Sequence, residues 1–157
     1  MRKETFKKIL VGVDSSPPSA RAVRVASSMA VEMAAEVMLV HVVGRITTAD
    51  DAGIDSRTRL RTGARRKGQT LLRQARKCFV NSIVVGECLC EGGPAEEILA
   101  RATAWGAQLI VIGAHGQSRL GRLILGSTAD AVARGAHCPV VTVGDDVDVS
   151  QMPLSPE

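Results

Sequence analysis

The sequence predicts an α/β fold: one open, five-stranded parallel sheet of strand order 3-2-1-4-5 with helices on both faces, Rossmann-like in layout. Three observations predict it. Five short apolar runs recur along the chain, and most are continuous rather than alternating, as in strands covered on both faces. Segments of helical period lie between them, so the alternation is β-α-β-α-β-α-β-α-β, which demands parallel pairing through right-handed crossovers. The chain of 157 residues is 45% hydrophobic but only 2% aromatic, with no Tyr, which gives one domain with an aliphatic core.

The first strand is read at "KILVGV" (8–13). The helix after it lies in "SPPSARAVRVASSMAVEMAAE", with Ser16 as N-cap, Pro17 at the first helical position, and Val23, Ala26, Met29, Ala30 and Met33 on one face. "VMLVHVV" (37–43) is the second strand, with His41 as a satisfied core histidine, and residues 44–56 read as a mobile loop. In "RTRLRTGARRKGQTLLRQARKCF" the apolar positions Leu60, Ala64, Leu71, Ala75 and Cys78 mark a second helix. Gly63 and Gly68 weaken it by about 1 kcal/mol each relative to Ala. "SIVVGECL" (82–89) is the third strand. "GPAEEILARATAWG" opens on Pro and two glutamates and stops at Gly106, which is a helix with its dipole complemented at the front. "QLIVIG" (108–113), the helix "GSTADAVARGAHCP" and "PVVTV" (139–143) complete the series. His137 belongs to the turn before that last strand. Residues 1–143 thus form the domain, and 144–157 read as an acidic, poorly ordered tail.

The formal charge is +4, but nine of the basic residues fall in 57–77, a segment with no acid, so the rest of the chain nets −5. A uniform basic footprint for nucleic acid is absent, and so are the aromatic platforms on which bases stack; both argue against nucleic-acid binding. The basic segment reads as a solvated helix face. No apolar run approaches the roughly 18 residues of a membrane span, and Ile9–Val13 is too short for a signal-peptide core. A cytoplasmic protein without membrane association is expected. Cys78, Cys88, Cys90 and Cys138 fit that setting as reduced thiols. Cys88-Leu-Cys90 lacks the second Cys or His pair of a zinc site and reads as small hydrophobes.

In open parallel sheets a ligand sits beyond the carboxyl ends of the strands, where the strand order reverses. Here that point lies between strands one and four, at Asp14 and at the glycine-rich stretch "GAHGQSRLGRLILGST" (113–128). The chemistry there suits phosphate. Gly113 and Gly116 let backbone N–H groups face an anion closely. Gly126, Ser127 and Thr128 open a helix whose first N–H groups are unpaired and whose dipole attracts negative charge. Arg119 and Arg122 stand ready to screen a polyphosphate. The bland alternative is that the glycines only turn the chain and Ser127 only caps the helix. Neither GxxxxGK[ST] nor a GxGxxG after the first strand is present. A receiver-type phosphorylation site is excluded as well, since no Asp follows the third strand and no Lys the last.

The spacing Gly113-x2-Gly116-x9-Gly126-Ser127 resembles the ATP-binding pattern of the universal stress protein family. "VGVDSS" after the first strand, "HVV" in the second, "GGPAEEIL" before the third helix and "HCPVVTV" at the end resemble its other landmarks, so the likeness covers about residues 5–143. It implies an adenine nucleotide alpha-hydrolase-like fold, a five-stranded parallel sandwich that dimerises through the last strand, Val140–Val143. It implies Asp14 and Val42 at the adenine and ribose end, with Gly12, Val13 and Ile112 lining the same pocket. Gly113, Gly116, Gly126, Ser127 and Thr128 would hold ribose and phosphates. The implied cofactor is ATP, with or without Mg2+; AMP or a cyclic nucleotide would use much of the same pocket. The family commonly has a small residue at the position of Arg119, so this arginine either clamps the phosphates or crowds them.

Three functions follow from these readings: a nucleotide-binding dimer acting as a stress-linked sensor or regulator, a slow ATPase or phosphotransferase, and a dimeric partner module that ignores nucleotide. The sequence supplies no evident general base or arginine finger for the second. His115 with Ser127 and Asp14 makes a nominal Ser/His/Asp set, but catalysis needs hydrogen-bond geometry through all three. No catalytic residue and no metal site are assigned, since Asp14 alone is a weak metal ligand.

Overall fold

The computed structural model describes residues 5–46, 53–115, 125–146, 148 and 150. Nine elements alternate along it: β1 (Lys8–Gly12), α1 (Pro17–Met33), β2 (Glu36–Val43), α2 (Ile54–Arg76), β3 (Val85–Glu91), α3 (Pro94–Trp105), β4 (Leu109–Gly113), α4 (Ser127–Gly135) and β5 (Val140–Val143). The strands form one parallel sheet in the order β3-β2-β1-β4-β5, as the sequence predicts. Gly116, Arg119, Arg122, residues 47–52 of the expected loop and most of the expected tail lie outside the described residues.

Successive side chains of β1 supply both faces of the sheet. Ile9 and Val11 face α1 and α2, packing with Ala22, Val23, Ala26, Leu72, Val37 and Leu39. Leu10 faces α3 and α4 with Val40, Ile98, Ala102, Ile110, Ile112 and Val132. Ile9, Leu10 and Val11 are wholly buried, which explains why β1 reads as a continuous run. Two cores on opposite sides of one sheet fix its position, and with it the crevice at its carboxyl edge.

Helix boundaries follow local chemistry. Ser16 caps α1, its Oγ accepting from the Ser19 N–H at 3.3 Å. The helix ends in Ala34, held in the left-handed region at φ 49°. Gly106 ends α3 at φ 74°, a conformation that costs Gly little.

Two readings are corrected in α2. It begins at Ile54, inside the segment expected to be a loop. Its contact line also differs from the expected one: Leu60 is 53% exposed and Cys78 lies exposed beyond the helix end, while Gly68, Leu72 and Ala75 are buried. Gly68 is the cause. A Cβ there would sit 2.6 Å from His41 Cδ2 and 2.7 Å from Leu89 Cδ1, so the bare backbone is what lets α2 settle onto β2 and β3. The preceding turns are exposed apart from Ala64 and Arg65, which are half-buried. β3 also starts later than expected, at Val85, because Val84 is 70% exposed, and it runs on to Glu91, in register with Val43.

Candidate functional site

A cavity of about 360 Å³ opens at the carboxyl edge of the sheet, where β1 has β2 on one side and β4 on the other. That volume lies within the roughly 300–1,000 Å³ of small-molecule pockets. Gly12, Val13 and Asp14 enter from β1, Val40, His41 and Val42 from β2, and Ile112 and Gly113 from β4. The first turns of α3 and α4 close the remaining side through Pro94 and Ile98, and through Gly126, Ser127 and Thr128. One wall is therefore aliphatic. The other carries Asp14, three hydroxyl residues (Ser19, Ser127 and Thr128), two histidines (His41 and His115) and a helix terminus.

The β1–α1 turn is tied down at Asp14. Its N–H donates to Ser19 Oγ at 2.8 Å, and its Oδ1 accepts from the Ser16 N–H at 2.7 Å. Ser16 Oγ donates in turn to the carbonyl of His115 at 3.3 Å, which joins this turn to the end of β4. Asp14 Oδ1 and the His115 carbonyl thus serve the chain itself, so this aspartate and histidine shape the site as a turn.

On the opposite side the start of α4 is pinned. The Gly126 N–H donates to the Ala114 carbonyl at 2.7 Å, and Ala114 N–H donates to Val143 O at 2.8 Å. Gly126 is the N-cap and no side chain caps the helix; Ser127 is the first helical residue rather than its cap. The bland reading of Ser127 as a cap is thereby corrected: the cap position is taken by a glycine, which has no oxygen to offer. The first N–H groups of α4 and the positive end of its dipole face the cavity. At the start of α3, Gly93 is likewise an N-cap without a side-chain bond, but Glu96 and Glu97 occupy that first turn. The first turn of α4 carries one acid as well, Asp130, which Arg134 pairs at 3.0 Å.

Of the residues singled out in the sequence, Gly12, Val13, Asp14, Val42, Ile112, Gly113, Gly126, Ser127 and Thr128 all line this one cavity. Gly116 and Arg119 lie outside the described residues. Gly113 has a different reason from the expected one. A Cβ on it would fall 2.8 Å from the Ser19 nitrogen and 2.9 Å from the Pro18 carbonyl carbon, so it is the α1 backbone that demands glycine there. His41 is satisfied as expected, with Nδ1 2.7 Å from the Val13 carbonyl oxygen, but it is half-buried rather than part of the core and also lines the cavity. Ser19, Val40, Pro94, Ile98 and Ala129 also line it without being singled out in the sequence. Val40 was readable from Val42, since residues two apart in a strand share a face. Pro94 and Ile98 sit in a first helical turn at the same sheet edge, the signal already used for α4.

Beyond the cavity, the end of β3 carries an ion-pair cluster. Arg61 Nη2 lies 2.7 Å from Glu91 Oε2, and Arg65 pairs with Glu91 Oε1. Hydrogen bonds from Arg61 and Arg65 hold the Glu91 carboxyl below its usual range. Arg61 and Arg65 thus share one carboxylate, which offsets one of their two charges. Among the described residues, no group of three or more His, Cys, Asp or Glu is arranged to hold a metal ion, and no helix is long and apolar enough to cross a membrane.

Comparison with known proteins decides the kinship. A sequence model of the Universal stress protein family matches residues 5–144. The chain belongs to the universal stress protein family. Among its relatives is Universal stress protein YxiE of Bacillus subtilis, 35% identical over 147 residues, covering 88% of this chain and 99% of the relative. Solved structures of the family share the fold. A universal stress protein in complex with cAMP superposes with a TM-score of 0.68 at 22% identity, covering 90% of this chain and 98% of its own. A family protein of Arabidopsis thaliana with AMP bound superposes with a TM-score of 0.64 at 20% identity, covering 90% and 94%. The universal stress protein described here has its cavity at the switch point of that common sheet.

Proposed function

We propose that this universal stress protein binds an adenine nucleotide in the cavity between β1 and β4 and acts as a non-catalytic, dimeric regulator or sensor. The single observation behind the reading is the pairing of an aliphatic slot with the uncapped N-terminus of a nine-residue helix. The first suits a base, and the second suits a phosphate. Val13, Val42 and Ile112 would hold the adenine, Asp14 the ribose, and Gly126, Ser127 and Thr128 the phosphates, with Gly12 and Gly113 shaping the floor. Gly116 and Arg119 belong to the same proposal by sequence position. The AMP- and cAMP-bound relatives support an adenine ligand. ATP, with Mg2+ on its phosphates, is the form proposed here; AMP and cyclic nucleotides are the competitors.

The other parts of the reading are a cytoplasmic location and a single domain over residues 1–143. β5 stands at the edge of the sheet, and pairing of Val140–Val143 with a second copy would cover that edge.

Calorimetry with ATP, AMP and cyclic AMP tests the site, together with denaturing extraction and chromatography of any nucleotide carried through purification. Binding of at least one of them is expected, lost in Gly126→Val with the circular dichroism spectrum unchanged. Absence of heat and of co-purified nucleotide would overturn the reading in favour of a nucleotide-independent partner module. Multiple-turnover phosphate release abolished by His115→Ala would overturn the non-catalytic part alone.

A further inference from the structure

Cys88 and Cys90 lie two residues apart on β3, and side chains so spaced share a face of the strand. Their sulfurs are 3.4 Å apart, in direct contact. The face they share is the one covered by α3, where both thiols pack with Val40, Ile98 and Ala102. From α3 the Arg101 guanidinium places its positive charge near both thiols. β3 is an edge strand, so the pair is not enclosed on both sides by the sheet. Cys88 is half-buried and Cys90 is only 5% exposed. Two thiols in contact beside a cation, one reachable and one sheltered, make a different object from two small hydrophobes.

We infer that Cys88 and Cys90 form a redox-active dithiol that closes reversibly to a disulfide by exchange with a low-molecular-weight disulfide. The Cα spacing permits it. Two residues of strand rise separate the Cα atoms by about 6.6 Å, inside the roughly 4.4–6.8 Å range of disulfides and near its upper end. The sulfurs must close from 3.4 Å to about 2.05 Å and the Cβ atoms to about 3.5–4.5 Å; χ1 rotation leaves Cβ where it is, so the backbone of this edge strand must pucker at Leu89 to bring them together. A bond formed near the limit of its range is readily reduced again, the property of regulatory rather than structural disulfides.

The roles of the two sulfurs follow from their surroundings. Burial first, then the hydrogen bond and charge of Cys88, push the Cys90 thiol up to about 11, with Arg101 acting in the opposite sense. Cys90 therefore keeps its proton while Cys88 is the more exposed of the two. The Cys88 thiolate attacks one sulfur of the small disulfide, forming a mixed disulfide and releasing one small thiolate. Cys90 then gives up its proton to solvent, and its thiolate attacks the Cys88 sulfur, expelling the second small thiolate. The protein loses two hydrogens, and the small disulfide becomes two thiols. Cys78 is the built-in contrast: it is exposed and sits at the C-terminal end of α2, remote from the β3 pair.

Intact protein incubated with oxidised glutathione, then acid-quenched and alkylated, tests the inference by peptide mass mapping. The peptide holding Cys88 and Cys90 should lose two hydrogens, resist alkylation, and recover both thiols after dithiothreitol. In Cys90→Ser the reaction should stop at a glutathione adduct on Cys88, and in Cys88→Ser both the adduct and the bond should be nearly abolished at this peptide. Circular dichroism confirms that each variant is folded. A wild-type protein that accumulates adducts on Cys88 without closing the bond, or in which this peptide stays fully alkylatable while Cys78 reacts, would overturn the inference. Neither result depends on whether nucleotide binds.

Discussion

Gly63 and Gly68 lie on one helix, five residues apart, and the same substitution should act on them with opposite sign. Replacing an interior helical Gly by Ala ordinarily stabilises by about 1 kcal/mol. Nothing lies within 4 Å of a Cβ on Gly63. Gly63→Ala should therefore gain that full amount, raising the melting temperature by about 2–4 °C for a domain of this size. At Gly68 the new methyl meets His41 Cδ2 at 2.6 Å and Leu89 Cδ1 at 2.7 Å, where ordinary contact begins at 3.4 Å. The neighbours must retreat by about 0.7 Å, and overpacking of that kind costs about 1–3 kcal/mol. Leu89 can rotate away. His41 cannot without stretching its 2.7 Å bond to the Val13 carbonyl, which adds about 1 kcal/mol. After the helical gain is subtracted, Gly68→Ala should destabilise by about 1–3 kcal/mol. Urea denaturation of the two variants beside wild type, followed by circular dichroism, measures both. A Gly68→Ala protein as stable as wild type would refute the packing argument for α2.

Other perturbations test separate joints of the fold. Gly113→Ala drives a methyl into the α1 backbone at Ser19 and Pro18, which has no rotamer to yield; a loss of about 1–3 kcal/mol should appear as a lower urea midpoint. Ala34→Gly should stabilise by about 0.5–1 kcal/mol, because Ala34 holds φ 49° at the end of α1 and a side chain is strained there; thermal melts read the gain. Glu91 is held below its ordinary value of 4.5 by Arg61 and Arg65. Its contribution is therefore present above pH 4.5 and lost as pH falls through the lower folded value. The stability gap between wild type and Glu91→Gln should be open at pH 7, close in acid and shrink with added salt; a gap that widens in acid would contradict the ion-pair assignment.

The sheet was legible because burial on both faces writes itself into the sequence. β1 and β4 are unbroken apolar runs for that reason, and β1 has to lie centrally. The crevice followed from the strand order, and nine of the eleven residues named in advance line one cavity. What escaped was local packing between elements distant in sequence. No periodicity in 57–79 announces that α2 must approach His41 closely, because that demand is made by residues of β2 and β3. The start of α2 at Ile54 escaped for a related reason: its first turns are exposed, so they show no apolar stripe by which to recognise a helix. The thiol pair escaped because the strand read at 82–89 stops one residue short of Cys90, whereas β3 runs to Glu91. Only the strand assignment puts their sulfurs on one face.

The glycine-rich stretch is best understood as two devices with separate causes. Gly113 is demanded by the α1 backbone and would be needed whether or not any ligand bound, since the clash it avoids is with Ser19 and Pro18. Gly126 is different. It takes an N-cap position where Ser, Thr, Asp or Asn would satisfy a helix N–H and add stability, and it leaves that terminus uncapped against a cavity. A fold selected for stability alone has no reason to decline such a cap. The two glycines therefore separate under substitution. Gly126→Ser should raise or preserve stability while weakening nucleotide binding, because its hydroxyl competes for the helix N–H groups. Gly113→Ala should lower stability first, and affinity only as a consequence. Denaturation and calorimetry on both variants measure these outcomes, and a Gly126→Ser protein that is stabilised yet binds nucleotide as tightly as wild type would remove the α4 terminus from the site.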